Sequence, residues 1–296
     1  NPLQGPLGRG VPTILEMVVH TRLDCALGSA GLMRQTVRAA TAYCSKRSAF
    51  GTVLSSAPVM AGVLADLSLE SEAAVWMSMH TAAMFDHCAR HPGDADAQAM
   101  RRLAVAVAKY YICKAAPGVV NEALESIGGN GYVEEWDFPR WFRQSPLNAV
   151  WEGSGNVIAL DVLRTLRAEP RALTAFFAHT NASRGAHPAL DAHMTATRDL
   201  MATLDPVASP GLARYAAEML ALELQGHALA TAAAAGHDTV ARTSAAVVLD
   251  AWATTRLRGG TSRTRLFGSL PPGALAPNTA TMLVDRVLQP ALAHLE

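Results

Sequence analysis

Glu125-Ser-Ile-Gly-Gly-Asn-Gly-Tyr132, followed downstream by Trp151-Glu-Gly-Ser-Gly-Asn156, is the passage on which the reading of this chain turns. Its first glycines, Gly128, Gly129 and Gly131, interrupt a long helix-forming run. A glycine cluster of this kind lets the backbone approach a phosphate-bearing ligand closely. The same glycines also read as the end of a helix, where glycine commonly sits. In the second segment a lone carboxylate, Glu152, lies between a tryptophan and another glycine turn. That is the setting of a carboxylate base beside a flat cofactor. On residue type alone, Glu152 also reads as a solvated glutamate near a helix start, where the helix dipole favours negative charge.

Outward from this passage the chain is rich in alanine, leucine, methionine and arginine, all good helix formers. No alternating run of β-branched residues reads as a strand. The sequence predicts a first helix from Pro12-Thr13 to about Arg47. A second begins at Pro58, a proline suited to a first helical position, with Met60, Val63, Leu64, Leu67, Ser71 and Ala74 at helical spacing. It ends at the turn His91-Pro-Gly-Asp94. A third runs from about Ala95 to Ile127, and a fourth from about Pro146 to Arg167, kinked at Gly153 and Gly155. Four long antiparallel helices make a bundle. Beyond Glu169-Pro170, shorter helices are expected over 171–181, 188–204, 211–235, 238–256 and 279–294. The expected architecture is all-α: residues 1–12 as a linker remnant, 13–168 as a four-helix bundle, and 169–296 as a smaller helical extension. Asn1 to Gly10 reads as the tail of a loop, so the N-terminal part of a longer protein is expected before it.

Composition narrows the function classes. Half of the 296 residues are hydrophobic, enough for a sizeable core, and the formal net charge is zero. A balanced charge gives no general pull toward nucleic acid or a membrane surface. Lysine occurs only at positions 46, 109 and 114. Cys25, Cys44, Cys88 and Cys113 are far apart and read as reduced core residues of a cytoplasmic protein. No apolar run reaches the ~18 uncharged residues of a membrane span, so no membrane partner is expected. His87 and His91 are spaced to share a helix face, yet no third ligand stands near them in sequence, and no metal site is expected.

In order and spacing, the opening passage resembles the signature of the acyl-CoA dehydrogenase family. That signature joins Glu125, Gly128, Gly129, Gly131, Tyr132, Glu135 and Arg140. The resemblance covers residues 10 to about 167 and implies the family's C-terminal helical bundle, with FAD as cofactor and an acyl-CoA as substrate. Trp-Glu-Gly-Ser at 151–154 is similar to the family's Tyr-Glu-Gly-Thr, which makes Glu152 the base for the α-proton. Ser154 and Asn156 then match flavin-contacting positions, with asparagine at 156 where glutamine is usual. The resemblance sets Glu125 and the glycine loop against the pyrophosphate of FAD held by a neighbouring subunit. Lys46-Arg-Ser-Ala-Phe-Gly51 is similar to an element whose arginine and phenylalanine, here Arg47 and Phe50, reach the partner's flavin. A homo-oligomer, dimer or tetramer, is thereby implied.

Arg22 matches an arginine near the mouth of the family's acyl-CoA site, and the residues themselves offer Asp24 as its partner. The wording Arg22-Leu-Asp-Cys-Ala-Leu-Gly-Ser29 is most similar to the alkylation-response (AidB-type) branch. Two further readings follow: a flavoprotein of that branch that associates with duplex DNA, or a non-catalytic helical piece serving assembly. For DNA, residues 170–296 hold ten arginines, no lysine and nine acids. Arg256, Arg258, Arg263 and Arg265 form the sole basic cluster there, and read chiefly as a solvated loop face.

Overall fold

A computed structural model of the chain describes residues 8–235, 239–257, 267, 275–276 and 278–288. Its helices, in chain order, are α1 (Gly10–Cys44), α2 (Pro58–Arg90), α3 (Ala95–Ser126), α4 (Phe138–Gln144), α5 (Gly155–Ala168), α6 (Arg171–Thr180), α7 (Pro188–Thr203), α8 (Ala213–Ala235), α9 (Thr239–Arg256) and α10 (Thr279–Leu288). The expected all-α architecture holds. The remainder of the expected helix 279–294 and the arginines at 258, 263 and 265 lie outside the described residues, as do residues 1–7 of the linker segment.

The third helix organises the bundle. Its stretch from Leu103 to Cys113 is buried on every side, which is what a helix apolar around its whole circumference requires. It packs against α1, α2, α5, α6 and α8. Although α3 is long and apolar enough to span a bilayer, 83% of its most apolar window lies inside the fold, so here it is a core helix. The third helix begins at Ala95 as expected, and Asp94 caps it, its carboxylate accepting from the Ala97 amide at 2.9 Å. That hydrogen bond, with one from His87, holds the Asp94 carboxyl below its ordinary pKa. Pro58 stands at the first turn of α2, and the predicted positions Leu64, Leu67, Ser71 and Ala74 are all buried.

The helices beyond residue 168 share the bundle's core. Phe176, Leu190, Leu220, Leu224 and Trp252 belong to the same buried cluster as Met33, Leu67 and Leu103. Ion pairs, one set buried and one partly buried, reinforce the join. On α9, Arg256 reaches Asp66 at 2.7 Å and Glu70 at 2.9 Å on α2, and on α10 Arg286 binds Glu72 at 2.6 Å. Arg256 is thus not a surface cation of a basic cluster. Its charge is spent inside the protein, where an arginine is retained only when paired.

Two local departures bear on the site. The predicted fourth helix does not run through from Pro146. A short turn and a bend replace its first part, and α5 begins only at Gly155. Between Gly128 and Asp137 the chain forms turns, and Pro139 then helps start α4, which periodicity had not indicated. In addition, a hairpin of two-residue strands, β1 (Ser48–Ala49) and β2 (Thr52–Val53), pairs Ser48 with Val53 and Ala49 with Thr52. It is too short to show alternation in sequence.

Candidate functional site

The turn Trp151–Ser154 is held from beneath by two cations. Lys109, in the middle of α3 and 1% exposed, donates its ammonium to the Trp151 carbonyl at 2.9 Å and the Gly153 carbonyl at 2.6 Å. Arg22, on α1, donates from Nε to the Glu152 carbonyl at 3.2 Å. Three successive carbonyls therefore point at positive charge instead of continuing a helical ladder. This is why the expected kink is a break. The partner of Arg22 is Asp161 on α5, at 2.7 Å, not Asp24, which is exposed. Asp161 also accepts from Arg164 at 2.9 Å. Burial lowers the Lys109 pKa, countered in part by Cys113 and Cys25 nearby. Bonds from its ammonium to two carbonyls are what make a lysine tolerable at that depth.

Glu152 itself takes a left-handed backbone, φ 57°, rare for a residue with a side chain. Its side chain is half-buried, and among the described residues its carboxylate enters no hydrogen bond or ion pair. Trp151 stands exposed beside it, and its indole N–H donates to Asn148 Oδ1 at 2.8 Å. The Asn148 amide in turn donates to Ser29 Oγ and to the Cys25 carbonyl on α1. A carboxylate without a partner, on a turn fixed by its own backbone, can take a proton from a molecule placed over it. Ser154 stands at the N-terminal cap position of α5 with its side chain exposed and no capping hydrogen bond. Asn156 is exposed too, and its side-chain carbonyl accepts from Arg214 at 2.8 Å.

The remaining predicted residues gather elsewhere. Gly128, at φ 65°, follows the last turn of α3 and provides the left-handed residue that ends it. A side chain at Gly131 would run into the Leu124 carbonyl. Gly129 has neither reason to be glycine: no left-handed backbone, and open space where a side chain would begin. Asn130 donates to the Tyr43 hydroxyl at 3.2 Å, and Tyr43 packs edge-on against Trp136. The loop thus lies against the C-terminal end of α1, from which the hairpin carrying Arg47 and Phe50 projects. Arg47 and Glu125 are exposed, and Phe50 is wholly so, at φ 54° on the hairpin's two-residue turn. Arg140 pairs with Asp137 at 3.0 Å.

These two groups are far apart. From Arg22 to Cys44 the unbroken helix α1 advances 22 residues, about 33 Å at about 1.5 Å each. One chain does not close Arg47, Phe50 and the glycine loop around Glu152. Lys109, Asn148 and Asp161 were missed by motif reading. A signal for Lys109 was present: one of three lysines, in the middle of the apolar run from Leu103 to Cys113, where a charge must find a partner.

A family model described as acyl-CoA dehydrogenase, C-terminal domain, matches residues 8–167. The putative acyl-CoA dehydrogenase AidB of Escherichia coli (strain K12) is 40% identical over 167 residues, which is 56% of this chain and 30% of that protein. The chain thus spans under a third of that relative. Among solved structures, Caenorhabditis elegans ACDH-11 in complex with C11-CoA aligns with TM-score 0.78 and 24% identity, over 98% of this chain and 50% of that one. An acyl-CoA dehydrogenase of Bacillus anthracis complexed with FAD aligns with TM-score 0.71 and 14% identity, over 84% and 48%. These structures share the fold, including the helices that follow the bundle.

Proposed function

The chain belongs to the acyl-CoA dehydrogenase family, and on that premise we propose that it forms the helical part of an FAD-dependent enzyme that desaturates an acyl-CoA thioester between its α and β carbons. The observation that carries this reading is the Glu152 turn, left-handed and anchored by Lys109 and Arg22. The α-proton of a thioester is weakly acidic, so its base must be both positioned and shielded from water. Lys109 and Arg22 position it through the backbone, leaving the carboxylate uncommitted. The Trp151 indole, steadied by Asn148, gives apolar cover on one side. Glu152 takes the α-proton while the β-hydrogen departs with its bonding pair, and the electrons of the broken α-bond form the new double bond. FAD, when bound, supplies the acceptor for that hydride. Arg22 is spent on Asp161 and on the Glu152 carbonyl, so it acts as a positioning residue.

The residues fit a flavin dinucleotide in two halves. Ser154, the amides opening α5, and Lys114 and Arg214 beside Gly155 suit an anionic or carbonyl-bearing group. Arg47 suits a phosphate, Phe50 an apolar ring face, and open Gly129 a close backbone approach. Arg22 beside the Glu152 turn and Cys44 beside the hairpin stand about 33 Å apart along α1, so in this reading the two halves serve different cofactors and the enzyme is at least a dimer. The buried, free cysteines suit a cytoplasmic setting.

Likeness to AidB favours a second reading, a flavoprotein of the alkylation response that associates with duplex DNA. The arginine cluster considered for that role loses Arg256, which is buried against Asp66 and Glu70. The deciding experiment is stopped-flow reduction of protein-bound flavin by a series of saturated acyl-CoAs. Glu152→Gln should retain flavin and slow reduction by ~10²-fold or more. Equal rates would remove Glu152 as the base. If no acyl-CoA reduces the wild-type flavin, while duplex DNA binds in a salt-dependent manner, the second reading replaces the first.

A further inference from the structure

Three histidines from three different helices meet away from the Glu152 turn. His80 on α2 and His179 on α6 approach through their Nε2 atoms at 2.8 Å. His227 on α8 closes the triangle, with ring centroids 4.9 Å from His80 and 4.5 Å from His179. One nitrogen of each lies within 4.8 Å of the others. Burial pushes His80 down to about 4 and His227 down to about 3, with mutual repulsion adding to both, so the rings are neutral at ordinary pH. Neutral imidazole is the form that ligates metals. The nearest comparison within the chain is the surface pair His87 and His91, which stack on each other while His87 bonds Asp94. That pair has a carboxylate partner, whereas the trio, one ring buried and two partly so, has none among the described residues.

We propose that His80, His179 and His227 bind one divalent transition-metal ion, zinc foremost, and that the ion ties α6 and α8 to α2. Three imidazoles at about 2.0–2.1 Å from a tetrahedral ion stand about 3.3–3.4 Å apart. The His80–His179 separation of 2.8 Å is slightly below that value and all three atoms lie within 4.8 Å of one another, so small side-chain rotations suffice. His227 is already oriented: in its ligating tautomer Nδ1–H donates to Ser183 Oγ, 2.5 Å away, which frees Nε2 for the metal. Between His80 and His179 one ring carries its proton on Nε2. On binding, that proton moves to Nδ1, so each ligand stays neutral and no net proton is released. His80 and His179 are only partly buried, which leaves a fourth position for water. The ion would join the bundle that the family model matches to the helices beyond it, independently of the flavin chemistry.

The test uses the full chain without a histidine tag, stripped by a chelator and titrated with cobalt(II) and then zinc(II). The expected result is one saturable site per chain. Cobalt should give the visible bands of a tetrahedral complex, zinc should displace it, and either metal should raise the melting temperature. His179→Gln, at a partly exposed position, should fold with an unchanged circular dichroism spectrum and bind at least ~100-fold more weakly. Ser183→Ala keeps all three ligands and should bind ~10–100-fold more weakly. The paired change His87→Gln with His91→Gln should leave binding intact. Absence of saturable binding to the wild type overturns the proposal. So does unchanged affinity in both His179→Gln and Ser183→Ala, or loss of binding in the His87/His91 pair variant alone.

Discussion

Glu152 and Phe50 share an uncommon backbone, φ 57° and φ 54°, and differ in everything around it. Beneath Glu152, two cations hold three successive carbonyls, and the turn is knitted to α1, α3 and α5. Phe50 sits at the tip of a minimal hairpin with its ring entirely in solvent. Left-handed backbone costs a residue with a side chain roughly 1–2 kcal/mol. The chain offsets that cost at Glu152 with its own side chains. At Phe50 only the short strand ladder of the hairpin offsets it, and the proposed dimer would give the exposed ring a surface to cover. In the proposed reading, one turn is a base holder completed within the subunit, and the other contributes to the site of a neighbour.

Of the two turns, the first should show the larger effects when broken, though a buried pair elsewhere exceeds both. Arg256→Ala sets the scale for removing a paired, fully buried cation: about 3–5 kcal/mol, read as a drop in denaturant-unfolding free energy. Lys109→Met should approach that range, at about 2–4 kcal/mol, because it leaves the Trp151 and Gly153 carbonyls without a donor. Flavin reduction by acyl-CoA should fall along with it. A Lys109→Met protein as stable and as fast as wild type would mean that the turn holds itself, and the contrast with Phe50 would vanish.

Arg22→Lys should have a smaller effect, about 1–2 kcal/mol, since a single ammonium does not span both Asp161 and the Glu152 carbonyl as the guanidinium fork does. Here the sharper readout is kinetic. Reduction should slow while flavin content stays constant, as befits a group that positions the base without touching the cofactor. Loss of flavin with an unchanged rate per bound flavin would place Arg22 in binding instead.

The smallest effect on stability, and opposite in sign, belongs to Phe50→Gly. Relief of the left-handed strain should outweigh the added freedom of the unfolded chain by about 0.5 kcal/mol. At the same time the variant should shift the mass measured by light scattering toward monomer. A Phe50→Gly protein that is less stable and equally oligomeric would show that the ring works within its own subunit.

Much of the architecture was legible in advance. Pro58, the His91-Pro-Gly turn, Asp94 and Glu169-Pro170 mark helix limits by local chemistry, and helical spacing picks out Leu64, Leu67 and Ala74 as core. Gly128 could be read as a helix end or as a ligand loop. The structure has it ending α3, while Gly129 keeps an opening that the chain itself does not use. The break before α5 was legible only as a kink, because its cause lies on other helices.

What the sequence determined by itself is whatever depends on neighbours along the chain: helix periodicity, caps, turns and the order of the motif residues. What only the tertiary structure decided is which distant charges and rings meet. Lys109 finds its carbonyls 42 and 44 residues away, and Arg256 finds Glu70 across 186. His80, His179 and His227 come from three helices, whereas the pair that sequence spacing drew attention to, His87 and His91, ends up on the surface. The physical reason is that a buried polar group must be satisfied wherever packing happens to carry it. Its partner is chosen by the register of one helix against another, which no local spacing encodes.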